Sequence, residues 1–136
     1  MKAIKFRVYD TKNKTMIYMK NLSFFYDQGI HEIIDGVGEG KDNTYELMQY
    51  INQIDSKGRD IYEGDIVTWY SPLIETGKKM IGIVIYDIRR AAFVKCPIGL
   101  FRSDFNKCNG IGSDFKWYET LEVQGNIHEN GELLIF

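Results

Sequence analysis

At 136 residues, 44% of them hydrophobic, the chain suffices for one compact domain, or a small one with an appended subdomain, burying about two thirds of its unfolded surface. Seventeen Lys and Arg against nineteen Asp and Glu leave a formal charge of −2, which excludes a global field drawing the protein onto nucleic acid or an anionic membrane. No run approaches the roughly 18 apolar residues of a spanning helix, and the opening MKAIKFRVYD alternates where a secretion signal is continuously apolar, so the expected location is the cytoplasm.

In AIKFRVY, Ile4, Phe6 and Val8 share one face and Lys5, Arg7 and Tyr9 the other; the polar TKNKT then precedes MIYMK, which predicts an opening hairpin. Residues 1–20 carry Lys2, Lys5, Arg7, Lys12, Lys14 and Lys20 against Asp10 alone, while 117–136 carry Glu119, Glu122, Glu129 and Glu132 with no Lys or Arg. Either these ends lie side by side as opposed strands, or each forms its own solvated face. Residues 21–44 fit no single pattern: SFFYDQGIHEII reads as strand or short helix, and DGVGEGKDN as a Gly-rich acidic loop.

YELMQYINQI, residues 45–54, is expected to be a strand, ended by the turn DSKG in which Gly58 takes a positive φ. IYEGDIV then reads as a corner, Glu63-Gly64-Asp65, launching a strand: Gly64 supplies the backbone freedom, and Asp65 accepts from nearby amides. DIVTWY and IGIVIYDI are apolar on both faces, which demands cover on both. A small β-barrel fills its interior with one face and leaves the other for the N-terminal half or another subunit. AAFVKC pairs with IGIVIYD across the turn at Ile88-Arg89-Arg90, LEVQGNI is a strand wet on one side, and the terminal ELLIF requires docking on the chain's own core or on a neighbour.

LMQY at 47–50, the D-x-K-G turn at 55–58, IYEGDIV at 61–67, G-x-V at 82–84 and EVQGNIHEN-x-ELL at 122–134, following IKFRVYD near the start, resemble the YopX family, encoded mostly by phages and prophages of Gram-positive bacteria. The matches run in order over most of the chain, outside 21–44 and 96–117. Tyr9 stands where the family usually has Trp, Gly131 replaces a usual Pro, and Ile51-Asn52-Gln53 replaces Thr-Gly-hydrophobic, which predicts a more regular strand there. The resemblance implies a mainly β protein (α+β being the alternative) with an SH3-like barrel over 56–136 and an N-terminal β-rich subdomain over 1–55. It also implies an oligomeric tendency and no established biochemical activity. Gly58, Glu63, Gly64, Asp65, Gly125 and Asn126 then read as a structural motif.

The sequence offers little to catalysis. His31 and His128, each beside a glutamate, lie in distant segments without HExxH or comparable spacing, so neither metal nor cofactor is expected. Cys96 and Cys108, without a dense cysteine framework, are expected as reduced thiols with no base to activate them, and there is no G-x-S-x-G. Glu63 and Asp65 flank a corner glycine and are better explained as turn residues than as an acid–base pair. FRSDFNKCNGIGSDFKWY, 101–118, repeats SDF around Asn109-Gly110, which suggests a β-hairpin. There Arg102, Phe105, Lys107, Phe115, Lys116, Trp117 and Tyr118 form a candidate interaction patch, to which Arg89 and Arg90 would add. The expected function is a non-enzymatic, homo-oligomeric accessory protein binding another protein; the alternative is weak single-stranded nucleic-acid binding through aromatic stacking among basic groups.

Overall fold

The computed structural model describes residues 2–19, 45–70, 78–103, 110 and 112–134. The ambiguous stretch 21–44, and with it His31, lies outside these residues, as do Phe105, Lys107 and Cys108. The chain divides into two units, Met1–Asn52 and Gln53–Phe136, where the sequence placed a boundary after residue 55.

In the first unit β1 (Phe6–Asp10) lies between β2 (Thr15–Met19) and β3 (Tyr45–Ile54), antiparallel to both. The expected hairpin is therefore present. Val8 stands opposite Ile17 on one side and Leu47 on the other, and this row, with Phe6 and Tyr45, makes the unit's small apolar cluster. The other face of β1 is buried as well: Arg7, Tyr9 and, across the ladder, Met48 are all covered. The ladder partners of the basic first strand are β2 and β3, which occupy both of its edges.

Regularity at 51–53 is not observed. Asn52 has φ of 61°, the left-handed conformation that a glycine would hold without strain. Its side chain makes the kink useful: Ala3 N donates to Asn52 Oδ1 at 2.8 Å, and Asn52 Nδ2 donates to Ala3 O at 3.0 Å. Asparagine is one of the few residues that tolerate this region, which is how it replaces glycine here.

The second unit carries β4 (Asp60–Tyr62), β5 (Asp65–Tyr70), β6 (Met80–Asp87), β7 (Ala92–Pro97), a short helix α1 (Ile98–Ser103), β8 (Thr120–Asn126) and a 3-10 turn, Gly131–Leu134. Its four-stranded sheet runs β7-β6-β5-β8, all neighbours antiparallel. Both faces of β5 and β6 are buried. One face gives the core of Ile66, Ile83, Ile85, Val94, Cys96 and Ile98; the other carries Val67, Trp69 and Val84. Leu133 and Leu134 pack against the Ile66 core, so this part of ELLIF docks on the chain itself. The chain is thus mainly β and of small-barrel type, as expected, with one short α-helix among the described residues. Cys96 is buried and disulfide-bonded, which corrects the expectation of a reduced thiol; that expectation rested on compartment and spacing, which do not fix geometry.

The turns share one device. Asp10, Asp55, Asp87 and Asn126 each close or follow a strand and accept amides from the next few residues. Asp10 takes Lys12 N and Asn13 N at 3.0 Å each, Asp87 takes Arg89 N at 2.9 Å, and Asn126 takes Glu129 N at 2.8 Å. A short acceptor side chain reaching forward two or three residues replaces the partners that the backbone loses when it leaves the ladder.

Gly64 makes the barrel corner with φ of 87°, Tyr62 N donates to Asp65 Oδ2 at 2.8 Å, and Gly64 itself bonds Val84 O through its N and Ile127 N through its O. With both backbone groups held, the corner cannot relax. Gly64→Ala is expected to lose about 1–2 kcal/mol, read as a lowered urea midpoint. At Gly125 the limit is space: a Cβ there would collide with Asn130 Oδ1, which accepts from Asn126 N. The register shift between Ile66 and Val67 places a bulge at this point of β8, so the strand is not simply wet on one side; Asn126 is buried.

Candidate interaction surface

The segment that follows α1 returns along β7. Ser113 and Lys95 exchange two backbone hydrogen bonds, at 2.8 and 2.9 Å, the described part of any pairing across 101–118. Arg102 does not stand on a hairpin arm: it lies on α1 and donates to Leu134 O at 2.9 Å, which ties it to the C-terminal turn. Four of the patch residues, Phe115, Lys116, Trp117 and Tyr118, come together on the return segment.

Lys95 fixes that segment from beneath. Its alternation on β7 gives no warning that it is fully buried, with its ammonium 4.4 Å from the Trp69 ring centroid and 5.4 Å from that of Phe115. The charge is met by Glu119, whose side chain is nearly buried and also accepts Lys116 N at 2.9 Å. Burial holds the Lys95 ammonium below its ordinary value of 10.5, against the pull of Glu119, which raises it. Glu119 is thus bound from both ends of the turn 116–119, whose own bond runs from Glu119 N to Lys116 O at 3.1 Å.

What this platform presents is Trp117, 94% exposed, with Tyr118 edge-on to it at 5.6 Å between ring centroids. Beside it opens a cleft of about 240 Å³ between residues 53–56 and 116–121. Ile54, 58% exposed, forms the facing apolar wall, and Gln53, Ser56 and Thr120 supply polar atoms. The cleft keeps its shape because the 55–59 turn is clamped to β8. Asp55 accepts Val123 N at 3.0 Å and Arg59 Nε at 2.8 Å, Arg59 Nη2 donates to Val123 O at 2.8 Å, and Ser56 N donates to Leu121 O at 2.7 Å. Burial pushes the Asp55 carboxyl up, but the amides of Val123, Arg59 and Lys57, with the Arg59 side chain, outweigh it and hold it below 3.8.

The remaining candidates are structural. Arg90 is drawn in by Asp87 at 3.4 Å and donates to Gly112 O at 2.6 Å and Gly110 O at 2.7 Å, so its guanidinium is already committed. Gly58 (φ 78°), Gly64, Asp65, Gly125 and Asn126 serve the turns described above, and Glu63 is half-buried in its corner. His128 N is an amide donor to Asn126. Among the described residues no group of three or more His, Cys, Asp or Glu is placed to hold a metal ion, and no helix is long and apolar enough to cross a membrane. Sequence reading missed Lys95, Glu119 and Arg59, whose partners lie 24 to 64 residues away, and Ile54, whose exposure depends on where β3 ends.

No curated protein matches the chain. Among solved structures it is similar to the crystal structure of protein EF1440 from Enterococcus faecalis, at 20% identity and a TM-score of 0.54, covering 98% of this chain and 99% of that one, a likeness of fold. The YopX protein family matches residues 5–135, nearly the whole length. The chain belongs to the YopX family.

Proposed function

We propose that this is a non-enzymatic protein-interaction module, encoded by a phage or prophage, working as a homo-oligomer in the host cytoplasm and contacting a partner protein through Trp117. The observation that carries the reading is the 94% exposure of Trp117 on a segment anchored by a buried ion pair and two backbone bonds. Tryptophan is the side chain most enriched among the residues that dominate protein interfaces. A rigid support keeps low the entropy lost when such a side chain binds.

Nucleic-acid binding draws less support. Arg90 and Arg102 are used on backbone carbonyls, Lys95 is buried, and Lys116 lies 3.6 Å from Asp114. Tagged chain recovered from prophage-induced cells tests the proposal. A protein that accompanies the wild type is expected to fall by about 30-fold with Trp117→Ala, the factor set by a 2 kcal/mol hot spot, and to be unchanged with Arg89→Ala. Equal recovery with Trp117→Ala would overturn it, and retention on single-stranded DNA or RNA at low salt would favour the alternative.

A further inference from the structure

The cleft beside Trp117, at about 240 Å³, lies below the roughly 300–1,000 Å³ of pockets that enclose a cofactor or drug-sized ligand. A recess of this size suits one large side chain. Ile54 and Leu121 offer apolar walls, while Gln53, Ser56 and Thr120 carry oxygens able to accept from an indole N–H. Lys116 on the rim adds a cation for the face of an incoming ring.

We propose that the occupant is Trp117 of a second copy of this chain. Two copies face each other across a two-fold axis, and each indole fills the other's cleft. The proposal rests on the reading of this surface as protein-binding and names its partner. The argument for a second copy is that the same surface carries both a protruding ring and a recess of matching size, the self-complementarity that a two-fold contact requires. A formal charge of −2 per chain opposes the approach only weakly. Two exchanged rings bury roughly 300–500 Å² between them, short of the roughly 1,200 Å² of a stable standard interface. The dimer is therefore weak and concentration-dependent.

Sedimentation velocity on the full chain over a concentration series tests this. The wild type is expected to pass from monomer to dimer, whereas Trp117→Ala, which lacks the indole and with it one wall of its own cleft, and Thr120→Arg, which blocks the cleft, remain monomeric. Both positions are exposed, and unchanged circular dichroism verifies folding. A wild type that stays monomeric, or a Trp117→Ala or Thr120→Arg chain that still dimerises, overturns the exchange. A monomeric wild type whose Trp117→Ala variant still loses its host partner overturns only the second copy and leaves the interaction surface standing.

Discussion

Lys95→Met is expected to lower the stability of the second unit by about 3–5 kcal/mol, the loss that follows when one member of a buried ion pair is removed. Methionine retains most of the apolar stem between Trp69 and Phe115, so packing is largely conserved and the effect isolates the charge. What remains is the Glu119 carboxylate, nearly buried and deprived of its cation. Adding Glu119→Leu removes that carboxylate too, and the double variant is expected to recover most of the loss, because well-packed apolar replacements of buried pairs are often neutral or stabilising. Urea unfolding of the two single variants and the double variant measures the coupling. The pH dependence has a definite sign. Between the lowered pKa of folded Lys95 and its ordinary 10.5 the unfolded chain binds the extra proton, so wild-type stability rises with pH across that window, and Lys95→Met removes the rise.

Asp55→Ala is the second large expected effect. Five donors converge on this one carboxylate: the amides of Lys57, Arg59 and Val123, and two nitrogens of the Arg59 guanidinium. Truncation strands the Val123 amide, while the half-exposed Arg59 head loses its carboxylate but keeps water and Val123 O. At about 1–3 kcal/mol for a buried group left unsatisfied, a loss of about 2 kcal/mol is expected in urea unfolding. Asp55→Asn keeps the size and loses the charge, so its effect should be smaller at neutral pH and smaller still in acid. Because the folded carboxyl titrates below 3.8, the stability it contributes is full above that value and is lost as pH falls through the folded pKa. Stability followed downward from pH 5 should therefore decline less steeply in Asp55→Asn than in the wild type.

Much of the strand pattern was legible in the sequence because period-two alternation and turn chemistry act within a few residues. The β1–β2 hairpin, β5, β6 paired with β7, β8, and the corner at Gly64 all follow from such signals. Asn52 shows where the local signal misleads: the alternation of YELMQYINQI runs straight through a left-handed residue, because an asparagine kink leaves no mark on hydrophobic spacing. Helix α1 interrupts what reads as one arm of a hairpin, since six residues are too few to show a 3.6-residue period.

The interaction surface was legible only in part. Phe115 to Tyr118 could be singled out as basic and aromatic residues in alternation, yet their platform was invisible. Lys95 alternates on β7 like any solvated lysine, and only the tertiary approach of Glu119, Trp69 and Phe115 takes it out of water. Arg102 and Arg90 look like members of a basic patch until their backbone acceptors are seen. Long side chains choose partners by distance in space, which spacing along the chain does not encode.

The two aspartate–arginine pairs do more than hold turns. Asp55 with Arg59 lays one turn along the outer side of β8, and Asp87 with Arg90 holds Gly110, Gly112 and Asp114, next to Ser113 on β7, so each outermost strand of the second sheet has residues of its own chain on its flank. A sheet finished in this way offers an incoming strand little rail to extend.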